Sequence, residues 1–250
     1  MARYGALAVA ALAGFLLVLV ARLPLRWALP ALPKDIHCIE PAGSLWSGSC
    51  ASLEVQGLAR GSIAWELRPL QLLLGRLAAE VRWSRAGGHA QGELQIGPGG
   101  RYAARDLNLD VQLGSGPVPG VPADLRGRLQ AQLARIALRT GAIVDANGRI
   151  AVDELSRAGG GGPIPLGSYQ LEFAEPPGAD GRIVGRLHDT GRPLNVSGTL
   201  TLLRDPEPGY LLEGSVAARA GADPELARQI TFLGAPDAAG RRSFAQEATF

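Results

Sequence analysis

The chain has 250 residues, a formal net charge of +2, 46% hydrophobic but only 5% aromatic residues, and 34 glycines with 18 prolines. High apolar content at low net charge excludes a disordered chain. So much Gly and Pro excludes a coiled coil or helical bundle, because in a helix interior Gly costs about 1 kcal/mol and Pro about 3 kcal/mol.

The glycines lack collagen's period of three, and a single long apolar stretch is too little for a polytopic membrane protein. That stretch comes first. Between Arg3 and Arg22 lie 18 uncharged residues, Tyr4 to Ala21. As a helix they reach roughly 27 Å, close to the ~30 Å of a bilayer's hydrocarbon core. A cleaved signal peptide is the competing reading, but Leu19-Val20-Ala21-Arg22-Leu23-Pro24 lacks a small-x-small cleavage pattern. Residues 1–26 are therefore read as a retained membrane anchor and residues 27–250 as a β domain beyond it. Arg22 and Arg26 argue against an inside N-terminus by the positive-inside rule. The short N-terminal tail and the cysteines that follow favour it. Residues 1–22 hold two arginines and no acid, so the remainder carries 23 basic and 23 acidic residues. A neutral domain lacks the basic footprint of nucleic-acid binding.

Cys38 and Cys50 are the only cysteines. With His37 they make an incomplete zinc ligand set. In an oxidising compartment they pair as a disulfide; in a reducing one they are two buried thiols.

Beyond them the chain alternates apolar and polar residues, the pattern of half-buried strands. Ile63, Trp65 and Leu67 share a face, as do Leu77, Ala79, Val81 and Trp83. Leu107, Leu109, Val111 and Leu113 follow, then Leu125, Leu129 and Leu133, then Tyr169, Leu171 and Phe173. Leu194, Val196, Leu200 and Leu202 come next, with Tyr210, Leu212 and Val216 last. Residues 131–138 mix the strand and helix periods. Turn signals stand at Gly87-Gly88, Gly97 to Gly100, Ala146-Asn147-Gly148, Gly159 to Pro163, Pro176-Pro177-Gly178 and Asp205 to Gly209. Short helices are expected at 69–75 and at 224–233, the latter with Asp223 as N-cap, Pro224 at the first position and Gly234 as the stop. The expected fold is all-β and mainly antiparallel. It is a curved, elongated sheet or half-pipe with one N-terminal transmembrane helix and one or two short helices. Its dry face, at Leu107, Leu109, Val111, Leu113, Leu194, Val196 and Leu200, is a candidate apolar groove for a lipid or a partner. Gly127, Gly185, Gly198 and Gly214 interrupt the alternation where a curved sheet would bend.

Motifs for chemistry are missing: the sequence holds no G-x-S-x-G, Walker loop or H-E-x-x-H. His37, His89 and His188 are far apart. His188-Asp189 could form half of an acid–base pair, but Asp189-Thr190-Gly191-Arg192-Pro193 reads as a turn, and Asp153-Glu154 reads as a solvated pair at a strand end. Asn195-Val196-Ser197 fits a glycosylation sequon within a strand pattern. Trp46, Trp65 and Trp83 are read as core, with a carbohydrate platform as the alternative.

Gly43-Ser44-Leu45-Trp46-Ser47-Gly48 before a strand, then Trp65-Glu66-Leu67-Arg68-Pro69-Leu70 with Leu73-Leu74-Gly75-Arg76-Leu77, resembles the type II secretion system protein N family. So do Pro165-Leu166-Gly167-Ser168-Tyr169 and the ending Leu233-Gly234-Ala235-Pro236-Asp237 with Gly240-Arg241. The resemblance spans nearly the whole chain. It implies a non-enzymatic accessory protein of the inner membrane with its bulk in the periplasm and no cofactor or metal. It also implies contacts with other secretion components: the inner-membrane platform protein M, protein C and the outer-membrane secretin. The alternative is a periplasmic lipid-binding half-pipe similar to AsmA-like or lipopolysaccharide-transport proteins. Membrane lipid is an expected partner in either case; nucleic acid and a small-molecule substrate are not.

Overall fold

The computed structural model describes residues 23–27, 33–72, 74–114, 121–159, 162–178, 180–191, 193–204 and 207–249. The expected anchor helix, within residues 1–22, lies outside them. Among the described residues no helix is long and apolar enough to cross a membrane. They form fourteen strands and two short α-helices, grouped in two compact units, Met1–Arg85 and Ala86–Phe250.

The first unit contains β1 (Ile36–Gly43), β2 (Ser47–Val55), β3 (Leu58–Ala59), β4 (Ser62–Leu67), α1 (Pro69–Leu72) and β5 (Leu77–Arg85). The ladder runs β1-β2-β4-β5, every pair antiparallel, with β3 as a short spur on β2. Two tryptophans fasten it. Trp65 Nε1 donates to the Leu45 carbonyl at 3.0 Å and Trp83 Nε1 to the Arg60 carbonyl at 2.7 Å, which gives each half-buried indole its polar partner. Gly48, the cross-strand partner of Trp65, leaves room for that ring, since a Cβ there would lie 2.7 Å from Cζ2.

The second unit contains β6 (Gly88–Gly97), β7 (Arg101–Leu113), β8 (Leu125–Arg139), β9 (Ala142–Gly159), β10 (Gly162–Phe173), β11 (Ile183–Asp189), β12 (Leu194–Leu203), β13 (Gly209–Ala218), α2 (Pro224–Thr231) and β14 (Arg242–Thr249). Neighbours in sequence pair antiparallel throughout. This is an unclosed meander, because β6 and β14 do not pair with each other. Apolar residues align across it: Leu109 opposes Ala131, Ala131 opposes Ile150, and Ile150 opposes Leu171. Helix α2 lies beside β13. The Asp223 side chain caps it by accepting from the N–H groups of Glu225 and Leu226. Its inner residues Leu226 and Ile230 are buried with Leu194, Val196 and Val216. A second cluster joins Ala146, Phe173, Ile183 and Leu202.

Four expectations change. Ala146-Asn147-Gly148 is not a turn but lies inside β9. Gly148 is needed there for close approach, because a Cβ would sit 2.2 Å from the Gln132 carbonyl oxygen. The real hairpin turn is Thr140-Gly141, both at positive φ, the type that matches strand twist. The mixed periodicity of 131–138 is a strand with a phase slip: Ala134 has no partner in β9 between Leu133 and Arg135, so Ile136 and Leu138 rejoin the apolar face. Asp153-Glu154 lies mid-strand at a similar irregularity, with Glu154 at φ 50°. Finally, α1 is one turn long, and α2 ends two residues early, with Phe232 as its C-cap.

Ile183 is 1% exposed. Ile183→Ala is expected to destabilise the protein by about 2–5 kcal/mol, whereas Leu58→Ala, at a site 51% exposed, is expected to change stability by less than about 0.5 kcal/mol. Urea unfolding followed by circular dichroism measures both.

Candidate functional site

Three features present themselves: a polar concavity, an apolar face and open strand edges. Strand alternation sends Asp110, Arg128 and Gln130 to the polar face of β7 and β8. Arg128 grips Asp110 with two bonds, Nε to Oδ1 at 2.9 Å and Nη2 to Oδ2 at 2.6 Å, and Gln130 adds a third at 3.2 Å. The hydrogen bonds from Arg128 are the largest influence holding the Asp110 carboxyl below its ordinary value, against a smaller desolvation effect. With His89, Arg126, Glu154 and Ser156, Asp110 and Arg128 line a concavity of about 660 Å³. Arg126 Nη1 is committed to the Gly114 carbonyl at 2.9 Å. Fixed charge pairs of this kind orient a polar partner.

The apolar row expected at Leu107, Leu109, Val111 and Leu113 is a single face of β7, opposing Leu133, Ala131, Leu129 and Gly127 of β8. Leu194 and Val196 are five strands further along the ladder, on β12, and lie under α2, while Leu200 packs against the other cluster with Leu202. The seven residues thus share one apolar face and stand at separate places along it. That face opens to solvent at the β6–β7 end, where Leu94, Ile96 and Tyr102 are 44%, 44% and 53% exposed.

Cys38 and Cys50 are joined as a disulfide between β1 and β2, with Cα atoms 5.4 Å apart. His188 and Asp189, adjacent on β11, point to opposite faces. Asp189 accepts from the Val196 N–H at 2.9 Å and from Arg219, which ties β11 to β12 and β13. Burial, with the Asp189 charge as a smaller influence, pushes the nearby Tyr169 phenol up to about 12. Trp65 and Trp83 face backbone carbonyls, as core residues do. The chain order could not reveal the Arg128–Asp110 and Arg219–Asp189 pairs, which join residues 18 and 30 positions apart.

At the edges, β14 pairs only with β13 and β1 only with β2 among the strands of their own units. Among the described residues of its own unit, the other side of each strand bonds no further strand.

The family profile described as type II secretion system (T2SS), protein N matches residues 36–245. The chain belongs to that family. It is 30% identical over 250 residues to a type II secretion system protein N of Aeromonas hydrophila, with 94% of this chain and 93% of the relative covered. It is 26% identical over 237 residues to one of Vibrio cholerae, with 91% of each covered. No solved structure matches it. Membership makes the chain an accessory component of type II protein secretion.

The Asp110 carboxyl, lowered from its ordinary 3.8, contributes stability that is present above that value and lost as pH falls through the lower folded value. Asp110→Asn is expected to flatten this acid limb while leaving stability near pH 7 reduced. Carboxyl ¹³C titration and urea unfolding from pH 2 to 7 read the two effects.

Proposed function

We propose that the protein is a non-enzymatic scaffold of the secretion machine, held once in the inner membrane by residues 1–26 with the β units in the periplasm. The family match over residues 36–245 carries this reading. Two further observations support the location. The uncharged run Tyr4 to Ala21 has the length of a membrane span. The Cys38–Cys50 bond belongs in an oxidising compartment. The open edges of β1 and β14 supply a means of holding other secretion components, among them the platform proteins and the secretin, because an extended segment can add to such an edge through main-chain bonds.

A second reading, a lipid-binding half-pipe, rests on the apolar face of the second unit and its exposed rim at Leu94, Ile96 and Tyr102. Stoichiometric acyl chains found by mass spectrometry after gentle extraction, and lost in a Leu109→Asp, Val111→Asp variant that still folds, would favour it over the scaffold.

A photo-crosslinking residue at Ser243, Ala245 or Glu247, exposed on β14, is expected to capture secretion components in living cells. Capture of unrelated envelope proteins alone would overturn the scaffold. Replacing both cysteines by Ser is expected to destabilise the protein by about 3 kcal/mol, the worth of closing so short a loop, as measured by urea unfolding under oxidising conditions.

A further inference from the structure

In the first unit the chain leaves the described sheet toward its N-terminus at a defined point. The Leu23 carbonyl accepts from the Leu45 N–H at 3.0 Å, Pro24 bridges to Ser44, and Leu25 is buried at 5% exposure. The β1–β2 turn is thus clamped to the chain immediately after the segment read as the anchor. The end of β4 meets the same turn: the Leu67 N–H donates to the Trp46 carbonyl at 2.6 Å, and the Trp65 indole bonds Leu45. Two residues beyond Leu67, α1 begins. The exit of the chain and the β4–β5 connection therefore occupy one end of the unit.

That connection is unusual. Leu70, Leu72, Leu74 and Leu77 are 76%, 42%, 70% and 38% exposed, four large aliphatic side chains facing water within eight residues. Their backbone is not slack. Arg68 N–H bonds the Ala78 carbonyl at 2.8 Å, Gly75 N–H the Leu72 carbonyl at 2.9 Å, and Arg76 N–H the Gln71 carbonyl at 3.0 Å. An apolar cluster held out by its own hydrogen bonds marks a contact with a partner or a membrane. Its surroundings favour the membrane. Arg68 and Arg76 flank the leucines and are exposed, and the chain from Met1 to Lys34 carries three arginines and one lysine without a single acid. Basic side chains around an apolar patch suit the headgroup layer of an anionic bilayer, and a tether a few residues away keeps the patch at high effective concentration beside it.

We propose that Leu70, Leu72, Leu74 and Leu77 rest in the interfacial layer of the bilayer that holds the anchor, so that the first unit contacts the membrane at two points and is fixed in orientation. The inference rests on reading residues 1–26 as an anchor. The test labels single cysteines with a polarity-sensitive NBD dye. The native Cys38 and Cys50 are bonded to each other, so the added thiol is the reactive one. Full-length Leu74→Cys, Leu70→Cys, Leu58→Cys and Leu17→Cys proteins are reconstituted in phosphatidylethanolamine–phosphatidylglycerol vesicles with and without shallow or deep nitroxide-labelled lipids. Leu58, 51% exposed at the opposite end of β2, is the control for nonspecific contact.

Probes at 70 and 74 are expected to shift to the blue and lose emission to shallow nitroxides, while the probe at 58 does neither. Unquenched loop probes beside a quenched probe at 17 overturn the membrane contact and leave the anchor standing. An unquenched probe at 17 overturns the anchor, and with it the two-point contact, whether or not the loop probes are quenched. Equal quenching at 58 and 74 also overturns the inference, as does a blue shift of the loop probes that appears only with added secretion proteins.

Discussion

Backbone satisfaction in a one-faced antiparallel ladder is the constraint on which the rest of this protein depends. In the second unit each strand bonds its neighbours in sequence, so the N–H and C=O groups are paired without distant crossovers. The pleat then sorts side chains, one face collecting Leu, Val, Ile and Ala, the other Arg, Asp, Gln and Thr. Everything of functional interest follows from what such a ladder leaves unfinished. Its apolar face must be covered, and α2 covers the part at Leu194 and Val196. Among the described residues of its own unit, β1 pairs only with β2 and β14 only with β13.

The polar face is organised on the same principle. Arg128 with Asp110 joins adjacent strands, and Arg219 with Asp189 reaches from the end of β13 to the end of β11. The first pair is largely exposed and worth little alone. The second buries a carboxylate at 8% side-chain exposure, where it also satisfies the Val196 N–H. Their service is to register and order, in keeping with an accessory role in secretion.

The first unit concentrates its specific chemistry at one end. There the chain toward the N-terminus, the β1–β2 turn, the Trp65 indole and the end of β4 that leads into α1 meet through three named hydrogen bonds and a bridge. At that end four exposed leucines cluster within residues 70–77, whereas the other end, at the short β3 spur, carries Leu58. This asymmetry gives the unit a direction.

Much of this was legible in the residues. Period-two alternation marked the strands around Ile63, Leu109, Leu171 and Val196, and Asp223-Pro224-Glu225 marked the start of α2, because these signals are local and depend on backbone geometry. What misled were local signals overruled by distant ones. Asn147-Gly148 looks like a turn, yet Gly148 serves the close approach of Gln132. Residues 131–138 look half helical because a slip in pairing changes their phase. The separation of Leu107 to Leu113 from Leu194 and Val196, the Arg219–Asp189 bond and the meeting of Leu23, Leu45 and Leu67 were not legible, since each joins residues that only strand order brings together. The amino-acid pattern by itself determined the elements, their apolar faces and the family, through alternation, caps and motif order. Tertiary structure alone decided which faces are covered, which charges pair and where the exposed leucines stand relative to the chain's exit, because those depend on pairing register across long stretches of chain.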